Sequence, residues 1–310
     1  MSFSSDVKEE IAKHYPTARH CQLAELSAII SMCGSVSIDI YDRYKIKIVT
    51  ENVVLARKCF TLLRKAFNIS TEVVVKHNIS TRRTTYYSLI IKNNADALRV
   101  LKAIKIIDMN YNMVVQQACC KRAFIRGAFL VAGSISDPSK SYHLEVVCSN
   151  EDNAKKLQNI INFFEIDSKV VQRKNHYIVY IKEGTQIVEF LNVMEAHVAL
   201  MELENVRIIK EMRNSLNRQV NCETANMGKT ISAAVKQIED IKYISATVGL
   251  DSLSENLEEV ARVRMQYPQA SLKEIGTYLS PSVGKSGVNH RLKKISEYAD
   301  QLRSGREEKE

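Results

Sequence analysis

LSAIISMCGS, residues 26–35, returns 99 positions later as IRGAFLVAGS, residues 125–134. In the first copy Leu23, Leu26, Ile29 and Ile30 recur at helical spacing, while Ala24, Ser27, Ala28 and Ser31 give a second, narrow face of small residues. Gly34 and Gly133 end the two helices, and Gly127 stands six positions before the second end, where the first copy has Ala28. A small-residue face in each copy predicts that the two helices pack closely along the axis relating the halves.

The flanking sequence repeats too. Val36, Ile38 and Ile40 alternate with Ser37, Asp39 and Tyr41, and after the Asp42-Arg43 turn Ile46 and Ile48 alternate with Lys45 and Lys47. That pattern predicts a hairpin with one buried and one wet face. VVLARKCFTLLRKAF reads as a helix, STEVVVKH and TYYSLIIK as strands, and ADALRVLKAIK as another helix. The second copy offers YHLEVVC as a strand, NAKKLQNIINFF as a helix, SKVVQRKN and HYIVYIKE as a hairpin, and TQIVEFLNVM as a helix. Each copy is therefore helix, hairpin, helix, hairpin, helix, an α+β arrangement with antiparallel sheets. Helices capped by Asp6 and Glu9 ahead of Pro16, and by Ser252 and Glu255 ahead of Pro268, are expected, and ETANMGKTISAAVKQIEDIKYISA reads as a further helix.

A different signature closes the chain, SLKEIGTYLSPSVGKSGVNHRLKKI, residues 271–295. Ser271 and Glu274 have capping-box spacing, and Leu272, Ile275 and Leu279 form a short apolar stripe. Gly276 in mid-helix costs roughly 1 kcal/mol against alanine unless other backbone approaches there, as a second helix crossing tightly over it would. Ser280-Pro281-Ser282 breaks the helix. Beyond the break Val288, Leu292, Ile295, Ala299 and Leu302 mark the buried side of a second helix. Its other side carries Lys285, Ser286, Asn289, His290, Lys293 and Lys294, with Arg291 at one flank. Asn pairs two-pronged with adenine and Arg or Lys with guanine, and remaining cations meet phosphates, so this is a residue set for a helix in a major groove. An ordinary solvated amphipathic helix is the plainer alternative.

The 310 residues carry a net charge of +9, which favours a polyanionic partner. From Asn221 onward 13 Lys/Arg stand against 13 Asp/Glu, so the excess lies before it. Seven cysteines without C-x-x-C spacing read as reduced core residues, not as a disulfide framework or zinc site. His14 and His20 near Cys21 match no ligand spacing, so no metal and no cofactor are expected. GKT at 228–230 lacks the P-loop's first glycine, Glu223 standing in its place. With no signal pattern or long apolar run, the expected location is cytoplasmic, away from membranes.

The duplicated helices, ending at Gly34 and Gly133, resemble two degenerate copies of the LAGLIDADG signature of homing endonucleases. Those enzymes place a metal-binding acid just before the final glycine; here the matching positions are Cys33 and Ala132. Magnesium needs oxygen ligands, so strand cleavage is expected to be absent. A duplicated domain of this kind followed by SGVNHRL resembles the WhiA family of bacterial DNA-binding regulators, over essentially the whole chain. The last module is also similar to region 4 of primary sigma factors. The resemblance implies a LAGLIDADG-like αββαββα unit over residues 1–196, with repeats at about 21–107 and 121–195. A helical linker is expected at 197–220, an all-α helix-turn-helix domain at 221–303 and a frayed tail at 304–310. Ser271, Lys273, Lys285, Ser286, Asn289, His290, Arg291, Lys293 and Lys294 are the expected DNA-binding residues. Gly284 departs from the family's serine N-cap.

The implied function is a non-enzymatic regulator of transcription, cell division and chromosome segregation, with sporulation roles in some relatives. Its expected partner is double-stranded DNA in the nucleoid, with a transcription or division protein as a candidate second partner. Two alternatives stay open. Asp39, Asp137 and Glu145 near the motif ends would serve a nuclease with relocated acids. Equally, the N-terminal unit would serve as a scaffold. Tyr41, Lys45, Lys47 and His143 on the wet sheet faces, and the basic pairs Arg82-Arg83 and Lys121-Arg122, are candidate phosphate contacts or plain solvated surface.

Overall fold

The computed structural model describes residues 2–78, 84–107 and 113–307; Arg82 and Arg83 lie outside the described residues. Helix α1 (Phe3–Lys13) starts at Ser2, whose hydroxyl accepts the Ser5 N–H, and not at the expected Asp6 cap. A serine just ahead of Phe3 lets that ring join the buried side, with Val7 and Ile11.

Two copies of one unit follow. The first is α2 (Arg19–Cys33), β1 (Gly34–Ile38), β2 (Tyr44–Thr50), α3 (Val53–Phe67), β3 (Glu72–Asn78), β4 (Thr84–Ile91) and α4 (Asn94–Ala103). The second is α5 (Ala118–Ala132), β5 (Gly133–Ile135), β6 (Leu144–Cys148), α6 (Glu151–Asn162), β7 (Lys169–Arg173), β8 (His176–Ile181) and α7 (Gly184–Met194). Each copy builds one antiparallel sheet of four strands, ordered β1-β2-β4-β3 and β5-β6-β8-β7. Asparagines start three of the helices: Asn52, Asn93 and Asn150 each accept a backbone N–H of the following turn.

The α2/α5 pair is the centre, with the most extensive helix–helix contact in the described chain. A Cβ on Gly127 would stand 2.6 Å from the Glu25 carbonyl and 3.0 Å from the Ala28 Cβ. The glycine of one copy therefore meets the alanine at the same position of the other, as residues on an axis of internal symmetry must. Apolar residues of both copies, among them Leu26, Ile29, Ile46, Phe129, Val146 and Phe190, share one core.

The first hairpin departs from its expected two-faced pattern. Ile46 and Ile48 are buried, but Val36 and Ile38, on the same strand ladder, are exposed. Among the described residues β1 is the sheet's edge with β2 alone beside it, and the apolar side chains Val36 and Ile38 stay uncovered.

Helix α8 (His197–Thr247) is one continuous element of 51 residues, where a linker helix and a separate following helix were expected. No proline occurs in it, and Gly228 has nothing within 4 Å to exploit its missing Cβ. One glycine penalty of about 1 kcal/mol is too small to stop so long a helix. The Val198 and Ala199 N–H groups at its start donate to the Glu10 carboxylate at 2.8 and 3.0 Å, an acid placed where the helix dipole favours one. Among the described residues no helix is long and apolar enough to cross a membrane.

By contacts the chain divides into Met1–Glu211 and Met212–Glu310. The second unit is all-α: the end of α8, a short 3₁₀ turn at Leu250–Ser252, then α9 (Glu255–Gln266), α10 (Leu272–Thr277) and α11 (Lys285–Glu307). The N-cap of α9 is Ser254, not the expected Ser252, which the 3₁₀ turn takes up. α11 runs through Ser304 to Glu307, past the point where a frayed tail was expected.

Candidate nucleic-acid interface

The last two helices are built by local chemistry that the sequence announces. Ser271 Oγ accepts the Glu274 N–H at 3.3 Å, and the Ser271 N–H donates to Glu274 Oε2 at 2.7 Å. Both halves of the capping box are present, and the Ser271 N–H holds the Glu274 carboxyl below the usual range. Val288, Leu292, Ile295 and Ala299 of α11 pack with Ile275 and Leu279 against α9 and α8 residues Val260, Ala261, Ile241 and Ile244. Each buried Val, Leu or Ile among them contributes about 1.5–3 kcal/mol.

Gly276 has the close neighbour its mid-helix position requires. A Cβ there would lie 2.0 Å from the Val283 carbonyl oxygen, and the Val283 N–H donates to Gly276 O at 3.0 Å. The approaching backbone is that of the turn, not a crossing second helix. The turn is thereby tied to α10 and fixes where α11 begins.

With its buried stripe inward, α11 turns Lys285, Ser286, Asn289, His290, Lys293 and Lys294 to solvent. At 100° per residue these six occupy about half of the helix circumference, opposite the stripe. Arg291 lies at the flank, half-buried, with Nη1 3.5 Å from the Asn256 carbonyl. Lys293 reaches Glu297 at 3.7 Å across exposed surface, a pairing worth well under 1 kcal/mol that a phosphate readily replaces. Lys273 is exposed on α10, and the Ser271 hydroxyl is engaged in its own cap.

The motif ends of the first unit carry different chemistry. Gly34 and Gly133 cap α2 and α5, donating to Ile30 O and Phe129 O. At Gly133 a Cβ would meet the Phe129 ring at 2.2 Å, so it is space, with φ at −75°, that demands glycine. Cys33 donates its S–H to the Ile29 carbonyl at 3.2 Å, and burial pushes its thiol up to about 12. A protonated thiol and the Ala132 methyl give a hard divalent ion nothing to bind.

The proposed replacement acids are each occupied locally. Asp39 accepts the Tyr41 and Arg43 N–H groups at 2.8 and 3.0 Å and pairs with Arg43 Nε at 2.9 Å. Asp137 closes its own turn by accepting the Ser139 N–H and hydroxyl at 2.8 and 2.6 Å. Glu145 faces His143 Nε2 at 3.1 Å. Tyr41, Lys45 and Lys47 are exposed, while Lys121 and Arg122 lie over the Phe163 and Phe164 rings.

One arrangement differs from the sequence reading of the cysteines. His20, Cys21, Cys119 and Cys120 bring their Nδ1 or Sγ atoms within 4.8 Å of one another, whereas His14 is elsewhere, 2.9 Å from Glu195. Spacing along the chain conceals this cluster because its two pairs come from different copies. The available signal was the 99-residue offset, which places Cys119-Cys120 at the positions of His20-Cys21.

Comparison with known proteins agrees with this architecture. Residues 19–107 match the WhiA N-terminal LAGLIDADG-like domain, 121–213 the WhiA LAGLIDADG-like domain and 216–299 the WhiA C-terminal HTH domain. A probable cell division protein WhiA of Lachnoclostridium phytofermentans is 52% identical, over 98% of this chain and 100% of that protein. The chain belongs to the WhiA family. A second WhiA of the same description, from Alkaliphilus oremlandii, is 49% identical over 99% of both chains. The crystal structure of full-length DUF199/WhiA from Thermatoga maritima superposes with a TM-score of 0.61 at 25% identity, covering 97% of this chain and 99% of that one. The WhiA architecture of duplicated LAGLIDADG-like fold and helix-turn-helix is thus the one seen here.

Proposed function

We propose that this chain is a non-enzymatic, sequence-specific regulator that binds duplex DNA through α11 and acts in transcription, cell division and chromosome segregation. The observation carrying the proposal is the exposed arc Lys285–Lys294, which holds no acid and lies opposite a stripe that fixes its orientation. Asn289 and Arg291 are assigned to base edges, and Lys273, Lys285, Lys293 and Lys294 to phosphates, with Ser271, Ser286 and His290 as flanking polar contacts. The cell-division names of the relatives support the cellular role, and duplex binding implies a nucleoid location in the cytoplasm. Cys33 and Ala132 support the absence of cleavage.

Fluorescence anisotropy tests the assignment, using duplexes that the full chain enriches from a randomised library and, beside them, unselected random duplex. Asn289→Ala is expected to weaken enriched duplex by about 1–3 kcal/mol and leave random duplex unchanged. Lys293→Ala is expected to weaken both alike and to lower the salt slope by about 1. Equal losses on both duplexes for both variants overturn the roles; no salt-sensitive affinity at all overturns the function. Supercoiled plasmid with Mg²⁺ or Mn²⁺ is expected to stay unnicked.

A second reading rests on the uncovered edge of the first sheet, where Val36, Ile38 and Ile40 are exposed. Such an edge suits a protein partner of the transcription or division apparatus. Ile38→Glu should then abolish that association while duplex affinity stays at the wild-type value.

A further inference from the structure

The first turns of α2 and α5 converge four soft donors on one point. His20 Nδ1 lies 3.1 Å from Cys120 Sγ and 3.3 Å from Cys21 Sγ, and all four donor atoms, Cys119 included, fall within 4.8 Å of one another. Zinc bonded tetrahedrally to sulfur at about 2.3 Å and nitrogen at about 2.0–2.1 Å requires donor separations of roughly 3.5–3.8 Å. The four atoms bracket that range, so sub-ångström side-chain shifts suffice.

We infer that His20, Cys21, Cys119 and Cys120 form a closed, structural zinc site that staples the two copies of the repeat together. Three observations beyond distance point the same way. The pairs occupy equivalent positions in the duplication, 99 residues apart, so the internal symmetry axis that brings Ala28 onto Gly127 also brings these pairs together. Both helices start without a side-chain cap and without an acid in the first turn, which leaves two positive helix ends directed at one place. Those ends offset the negative charge of a zinc–thiolate complex. Finally, Cys21 and Cys120 sit among Ala24, Val114 and Ala123 in a small apolar cluster apart from the main core, which shields those two donors while His20 and Cys119 face solvent.

The donor set selects the ion. Magnesium and calcium want oxygen, an iron–sulfur cluster takes four thiolates or the Rieske pairing of two thiolates with two imidazoles, and a closed set of one imidazole and three thiolates is a structural zinc set. Binding exchanges three thiol protons for Zn²⁺ and releases them to solvent, with no oxidation or reduction. The product carries one net negative charge, which the two helix ends offset.

Metal analysis of the full chain, purified under reducing conditions without chelator, tests the site. Roughly one zinc per chain is expected, and Co²⁺ in its place should give a thiolate-to-cobalt charge-transfer band with tetrahedral d–d bands. Cys119→Ser removes an exposed donor that packing does not need, so that variant should fold and lose zinc affinity by more than about 100-fold, beyond the effect of an outer-shell partner. Cys222→Ser, on the exposed part of α8, should keep the metal. A metal-free wild-type chain that takes up no Co²⁺ overturns the site. Full zinc retention in Cys119→Ser, or a disulfide between Cys21 and either Cys119 or Cys120 in the reduced preparation, does so as well.

Discussion

The two ends of the α2/α5 pair carry opposite chemistries on one pair of helices. At the C-terminal end the glycine caps survive and the acids do not: Cys33 and Ala132 stand where the LAGLIDADG signature places carboxylates. At the N-terminal end an imidazole and three thiols gather within 4.8 Å. Close helix packing therefore stands at one end without ligands for a hard ion, and the assembled donors at the other end are soft. Internal symmetry needs no metal at that end, because close helix packing serves the shared core by itself.

If the pair is primarily a structural axis, the greatest sensitivity should lie between its ends. Lys58 and Glu25 face each other there at 2.6 Å, both fully buried, and Lys58 also donates to Ile11 O and His14 O at 2.7 Å each. Burial pushes the Glu25 carboxyl up, opposed by the Lys58 ammonium, and pushes Lys58 down, opposed by Glu25. Lys58→Met is expected to cost about 3–5 kcal/mol in urea unfolding, because it leaves a buried carboxylate without its cation. Glu25 in that variant keeps a folded-state pKa above its unfolded value. The associated stability is therefore present below the unfolded value and lost as pH rises through the folded one, so the variant's deficit should be larger at pH 8 than at pH 5. Adding Glu25→Met should recover most of the loss; a double variant no better than the single one would place the cost in packing.

Gly127→Leu attacks the axis sterically. Its Cβ would meet the Glu25 carbonyl at 2.6 Å, backbone that cannot swing aside, and roughly 3 kcal/mol of destabilisation is expected. Gly228→Ala supplies the contrast. With open space around it on exposed α8, alanine there should stabilise by up to about 1 kcal/mol. Comparable effects at both glycines would remove the case for a tight axis.

What could be read from the sequence divides along the same line. The small-residue faces, the terminal glycines, the capping box at Ser271 and the alternation in β2 are local patterns, and each appears as expected. Gly276 shows a local signal with a non-local cause: the sequence demanded a close neighbour but assigned it to a crossing helix, whereas the Val283 carbonyl supplies it. The exposure of Val36 and Ile38 was hidden because alternation marks which residues share a face and is silent on what covers that face. The soft-donor cluster was hidden further, since it exists only when one copy is superposed on the other. The run of α8 through Gly228 is illegible from composition, because the change of composition near residue 220 carries no stop signal strong enough to end a helix.

The last test puts acids at the C-terminal end of the pair. Cys33→Asp with Ala132→Asp places two carboxylates on half-buried helix ends where the Ile29 carbonyl, the present partner of Cys33, offers an acceptor and no proton. Without metal the double variant is expected to lose about 1–2 kcal/mol, the cost of desolvating unpaired charge with some relief from solvent. Mn²⁺ should restore part of that loss by mass action and leave the wild-type chain unaffected. Thermal unfolding with and without Mn²⁺ reads both effects. Recovery in the double variant but in neither single one would mean that both helix ends reach one ion and that only side-chain chemistry separates this end from a hard-metal site. A double variant indifferent to Mn²⁺ would instead place the change in the backbone, with the helix ends held too far apart for a shared ion, and the two ends of the pair would then differ in geometry as well as in ligands.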